Sequence, residues 1–152
     1  MNFLIIGNCG VGKTWVLKQL LTNEDKKYKL GKINFHENNR YIIVGKYIGD
    51  IFDGSDKLSM SAITDVEKIT KYANGKTIIW EGDRFMNSTF IKKINPIVLK
   101  ILGSGKEGRE KRGSKQTHRQ IKTIETRVNN QTAHKFFSNS NECLQYIKDE
   151  TS

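Results

Sequence analysis

Gly7-Asn8-Cys9-Gly10-Val11-Gly12-Lys13-Thr14 stands between an apolar run at residues 2–6 and a stretch with helical spacing at residues 14–21. Phe3, Leu4, Ile5 and Ile6 read as a buried strand that stops at glycine. Val16, Leu17, Leu20 and Leu21 read as one face of a helix. Glycines let the backbone between them curl tightly, so that successive N–H groups converge on the oxygens of an anion. Lys13 adds a positive charge. Thr14 adds a hydroxyl at the start of a helix whose N-terminal end is itself partly positive. A strand, this loop and then a helix is the setting in which such a stretch holds a triphosphate. All eight residues are therefore candidate nucleotide-binding residues. Lys13 reaches the β- and γ-phosphates and Thr14 reaches Mg²⁺, so ATP and Mg²⁺ are the expected cofactors.

Strands and helices alternate along the rest of the chain. Residues 40–48, 77–80, 97–102 and 135–137 read as strands, and 61–73, 87–95, 115–130 and 141–149 as helices. Pro96 stops the helix before it. Residues 24–39 are polar, with a weak strand at 32–36, and 103–113 read as a loop rich in glycine and charge. The expectation is an α/β fold over 1–152, with a parallel sheet of about five strands flanked by helices and a short basic lid near 103–119. Ligands of such sheets bind beyond the carboxyl ends of the strands. Residues 7–14, 50–59 and 81–84 all follow expected strands, so three polar clusters should meet on one rim.

Glu81-Gly82-Asp83-Arg84 closes the strand 77–80. An acid there is placed to serve a metal ion or a nucleophile. Glu81, nearest the strand, suits the metal or its water, while Asp83 and Arg84 project toward an acceptor. Tyr47 could stack on a base, and Asp53 or Asp56 could take a proton from an attacking hydroxyl. The division of base and metal roles among Asp53, Asp56, Glu81 and Asp83 stays open at this point. His36, His118 and His134 show no metal-ligand spacing, and Trp15 and Trp80 are expected in or near the core.

The chain has 152 residues, of which 36% are hydrophobic and 28% charged, a composition for folding rather than disorder. No run approaches the ~20 apolar residues of a membrane span. The early strand leaves no room for a cleavable leader. Cys9 and Cys143 are expected to be reduced thiols in a cytoplasmic protein. Net charge is +10, more than ATP binding calls for. Residues 100–127 hold nine Lys and Arg against three Glu, +6 of that total. A lid there would bring Arg109 or Arg112 to the transferring phosphoryl group. The surplus suits a polyanionic partner such as DNA.

The order of these segments resembles the nucleoside and nucleotide kinases of the P-loop NTPase fold, a three-layer architecture. Within that class the chain is similar to small phage-encoded kinases, the group containing the hydroxymethyluracil DNA kinases. The likeness rests on Gly45-Lys46-Tyr47, Gly54-Ser55-Asp56-Lys57-Leu58-Ser59, Glu81-Gly82-Asp83-Arg84, Arg112-Gly113-Ser114-Lys115-Gln116 and Thr126-Arg127. It departs from ordinary nucleoside monophosphate kinases in having Asp83-Arg84-Phe85 where Asp-Arg-Tyr or Glu-Arg-Ser is usual. The resemblance implies catalytic roles for Lys13, Asp56, Asp83, Arg84, Arg109 and Arg112, and metal contacts from Thr14 and Glu81. It implies acceptor contacts from Tyr47, Asp53, Ser55, Lys57, Arg84, Lys115, Gln116 and Arg127. The implied reaction moves the γ-phosphate of ATP to a hydroxymethylated pyrimidine in DNA, in the host cytoplasm if the chain is phage-encoded. A kinase of free nucleosides or nucleotides, and a nucleic-acid-binding ATPase with no acceptor, are the alternatives.

Overall fold

A computed structural model of the chain describes residues 1–47, 65–113 and 117–152, with the side chain of Arg112 left aside. The chain forms β1 (Asn2–Gly7), α1 (Lys13–Leu20), β2 (Lys26–Leu30), β3 (Ile33–Glu37), β4 (Tyr41–Val44), α2 (Val66–Ala73) and β5 (Thr77–Glu81). A single 3-10 turn, Asp83–Phe85, leads to α3 (Ser88–Ile94), β6 (Ile97–Ile101), α4 (Lys106–Arg112), α5 (His118–Asn130), β7 (Lys135–Phe137) and α6 (Ser140–Glu150).

The sheet has seven strands in the order β2-β3-β4-β5-β1-β6-β7, not about five. β4, β5, β1, β6 and β7 are parallel, which accounts for the expected five. The addition is an antiparallel hairpin, β2 and β3, on the β4 edge. Leu30 pairs with Ile33, leaving the two-residue turn Gly31-Lys32, where Gly31 takes φ 58 as a tight hairpin turn requires. Asp65 caps this turn by accepting the Lys32 N–H at 2.9 Å. Lys68 and that N–H hold the Asp65 carboxyl below its usual range.

Alternation along β1 sorts the core into two layers. Leu4 and Ile6 join a cluster with Val66, Ile69, Phe90 and Val128, from α2, α3 and α5. Phe3 and Ile5 join the opposite cluster with Val16, Leu17, Cys143 and Ile147, from α1 and α6. Both sides of the central strands are thus covered, which is why β1 reads as a continuous apolar run. Burial pushes the Cys143 thiol up to about 12, so it stays protonated. No helix among the described residues is long and apolar enough to cross a membrane.

Local chemistry sets the helix boundaries. Asn87 caps α3 by accepting the Phe90 N–H at 2.9 Å, and Asn95, left-handed at φ 50, ends it before Pro96. The basic helix expected from 115 begins instead at His118. Thr117 caps it in a reciprocal pair with Gln120, each side chain accepting the other's backbone N–H.

Candidate active site

The 7–14 loop connects β1 to α1 at the carboxyl end of the sheet. Gly10 (φ 90) and Gly12 (φ 101) occupy conformations that side-chain-bearing residues avoid. Among the described residues no side chain caps α1, which leaves its first N–H groups without an intrahelical partner. Lys13 folds back across the loop, its ammonium donating to the carbonyls of Gly7 (2.8 Å) and Asn8 (3.1 Å). This gathers a cation and a row of backbone donors in one place, as an anion of several negative charges requires.

Glu81 ends β5 beside β1, with Ile5 as its register partner. Its side chain is 3% exposed, and its Oε1 accepts the Thr14 hydroxyl at 3.3 Å. A hydroxyl and a carboxylate so close form a hard, all-oxygen pair that fits Mg²⁺, which takes few protein ligands and completes its shell with water and phosphate. No group of three His, Cys, Asp or Glu side chains suited to a metal occurs among the described residues. A nucleotide-bound Mg²⁺ does not need one.

The adjoining corner is built differently. Gly82 donates its N–H to the Ile5 carbonyl at 3.1 Å, and the turn Asp83–Phe85 follows. Phe85 is buried against Trp80 and Phe90, with ring centroids 5.1 Å from each. Arg127, from α5, donates to the carbonyls of Asp83 (3.0 Å) and Met86 (2.8 Å) and approaches the Asp83 carboxylate at 3.5 Å. Arg127 was expected to meet substrate; here it braces the corner that carries Asp83 and Arg84. Nη1 of Arg84 is buried with no hydrogen-bond partner among the described residues. Leaving such a donor unpaired costs about 1–3 kcal/mol, so an acceptor atom brought there is favoured.

The segment 103–113 is not simply a loop, since it contains α4. Gly105 and Gly108 lie directly on the carbonyls of Cys9 and Gly10, so close that a Cβ on either would overlap them. Arg109 donates to the carbonyls of Cys9 (3.0 Å) and Ser104 (2.7 Å). Asn8 donates to Gly103 at 2.7 Å. Arg109, expected at the phosphoryl group, is a strut tying the loop at Cys9 to Ser104 in this structure.

Two other expectations change. Tyr47 is only 6% exposed; its hydroxyl donates to the Val44 carbonyl and its N–H to Nε2 of His36. It is a wall residue, not a stacking surface, and His36 gains a structural role. Trp80 is fully buried as expected, but Trp15, next to Thr14, is 38% exposed. Asp53, Ser55, Asp56, Lys57, Lys115 and Gln116 lie outside the described residues, as does the side chain of Arg112.

A cavity of about 390 Å³ opens beside the loop, lined by Gly10, Val11, Gly103, Lys106, Ser138 and Ser140 among others. Its size and its mixture of backbone and hydroxyl groups suit a nucleoside. Gly10 and Val11 belong to the expected loop and Gly103 and Lys106 to the expected lid, whereas Ser138 and Ser140 were missed and carry no signal in the sequence. A larger cleft of about 800 Å³, lined by Leu20, Asn38, Arg40, Tyr41 and Lys148 among others, lies at the other end of the sheet and shares no residue with the loop. No family model, curated protein or solved structure matches this chain.

Proposed function

We propose that this chain is a P-loop kinase, of the three-layer P-loop NTPase fold, that moves the γ-phosphate of ATP to a hydroxyl on a hydroxymethylated pyrimidine in DNA. The observation that carries the phosphotransfer half is the Thr14–Glu81 contact at 3.3 Å, set against Lys13 and the uncapped start of α1. The DNA half rests on the resemblance described above and on the +10 charge.

In this reading the 7–14 backbone and Lys13 bind the β- and γ-phosphates. Thr14 and Glu81 hold Mg²⁺, which when bound neutralises charge on the phosphate oxygens. The acceptor oxygen bonds to the γ-phosphorus as its bond to the β–γ bridging oxygen breaks, and ADP leaves. Asp83 or Asp56 takes the acceptor's proton. Arg84, whose buried Nη1 has no partner among the described residues, supplies a donor to an oxygen of the acceptor or of the transferring group.

Incubation with γ-labelled ATP and Mg²⁺, offered hydroxymethyluracil-containing DNA, free nucleosides and free nucleotides in parallel, tests this. Label should enter the DNA, and Lys13→Ala should abolish it. Label on small acceptors alone would refute the DNA acceptor. ATP hydrolysis with no labelled product would refute transfer.

A further inference from the structure

Charge divides unequally between the two faces of the sheet. The helices of one face, α1 and α6, carry three basic and three acidic residues. Those of the other, α2, α3 and α5, carry seven basic residues (Lys68, Lys71, Lys92, Lys93, Arg119, Lys122 and Arg127) and two acidic ones, Glu67 and Glu125. Three of the seven are engaged. Lys68 pairs with Asp65 and Lys93 with Glu67, and Arg127 braces the Asp83 corner. Lys71, Lys92, Arg119 and Lys122 are exposed and have no acidic partner among the described residues.

These four point away from the core. In α2 the buried positions are Val66, Ile69 and Ala73, and at about 100° per residue Lys71 falls on the opposite side. In α3 Phe90 is buried, with Ile91 and Ile94 packed beside it, and Lys92 is opposite. In α5 Val128 and Ile124 face inward, and Arg119 and Lys122 face out. α2, α3 and α5 pack into one cluster on the same side of the sheet and precede β5, β6 and β7, so they stand side by side across it. Lys71 and Lys92 lie in the last turns of α2 and α3, which precede β5 and β6, and Arg119 and Lys122 lie in the first two turns of α5, so the four run obliquely across this face toward the rim.

The row also leads to the candidate site. Arg127 is level with Asp83 on the rim. α5 runs antiparallel to the strands, so Arg119 stands about 12 Å further out, beyond the rim. His118, Arg119 and Gln120 are all exposed, as a helix end projecting past the sheet should be.

We propose that the outer side of α2, α3 and α5 is a track for a nucleic-acid backbone, on which Lys71, Lys92, Lys122 and Arg119 contact phosphates spaced along the strand and lead it to the 81–84 corner. The proposal rests on the DNA-acceptor reading for its purpose, but its test needs no phosphoryl transfer.

Binding of the full chain to a short DNA duplex is measured across a salt series, with ATP affinity measured alongside. The Lys71→Ala/Lys92→Ala/Lys122→Ala variant should lose at least tenfold in DNA affinity near 0.1 M salt. Its salt slope should flatten by about one per lost contact. ATP affinity should not move. Lys148→Ala, on the α6 side, should bind DNA as the parent does. On the unaltered protein, bound DNA should protect Lys71, Lys92 and Lys122 from acetylation more than Lys148, a readout independent of variant folding. Unchanged affinity and slope in the triple variant, equal loss in Lys148→Ala, no differential protection, or no DNA binding by the parent would each overturn the track. DNA binding along this face without phosphate transfer would defeat the kinase reading alone. Transfer to free nucleosides with no DNA binding would defeat the track alone.

Discussion

The 7–14 loop and the 82–85 corner sit side by side on the rim, yet they are held by different means. The loop is held largely by backbone. Gly10 and Gly12 take conformations open to glycine, Lys13 bonds to carbonyls of its own loop, and α4 lies on it through Gly105 and Gly108. The corner is anchored by Phe85 in the core and braced by a side chain 44 positions away, the guanidinium of Arg127. A backbone-built site is intolerant of added atoms. One built on a distant side chain depends on the placement of a whole helix.

Adding one methyl group to the backbone-built half should have the largest effect. In Gly108→Ala the new Cβ would overlap the Gly10 carbonyl, so the loop or α4 must shift. Overpacking of this kind costs about 2 kcal/mol. The melting temperature should fall by roughly 6 °C, and ATP affinity by more than tenfold, read by thermal melts and calorimetric titration. Unchanged values in both would mean that α4 does not support the loop.

Arg127→Ala tests the other half, with a smaller and more selective effect. Loss of its hydrogen bonds to Asp83 and Met86 should lower kcat about tenfold, or about 1.4 kcal/mol. KM for ATP should change less than twofold. Arg127→Lys should not restore turnover, because one ammonium cannot match a planar fork reaching two carbonyls. Loss of ATP affinity instead of kcat would show that the two halves are not separable.

The smallest effect is expected at Glu37, at the opposite end of the sheet from both. Partial burial pushes its carboxyl up, but hydrogen bonds from Lys76 and Tyr72 outweigh that and lower it below its usual value. Its stabilising contribution is therefore present above the unfolded value, near 4.5, and lost as pH falls through the folded one. Glu37→Gln should flatten the acid limb of a melting-temperature profile below about pH 4.5 and leave turnover at neutral pH unchanged.

Much of the fold was legible because its signals are local. β1, β5 and β6 are apolar runs that end in polar turns, and the 7–14 loop carries its own conformational requirement in its glycines. β2 was not legible. Lys26-Lys27-Tyr28-Lys29-Leu30 is an exposed edge strand with no apolar alternation to mark it, and it exists by pairing with β3. α4 was read as loop because Lys106–Arg112 contains no apolar residue from which a period could be taken. It is held by backbone contact with the loop and by Arg109.

The sequence by itself determined one end of the candidate site: the strand, the glycine loop with Lys13 and Thr14, and the helix that follows. Residues within one turn of each other carry all of that chemistry. Only the tertiary structure decided that Glu81 meets Thr14, that Arg109 and Arg127 are struts, that Tyr47 is buried and that positive charge collects on one face. Each of these depends on residues brought together by strand order and crossover handedness, and neither is written at any single place in the chain.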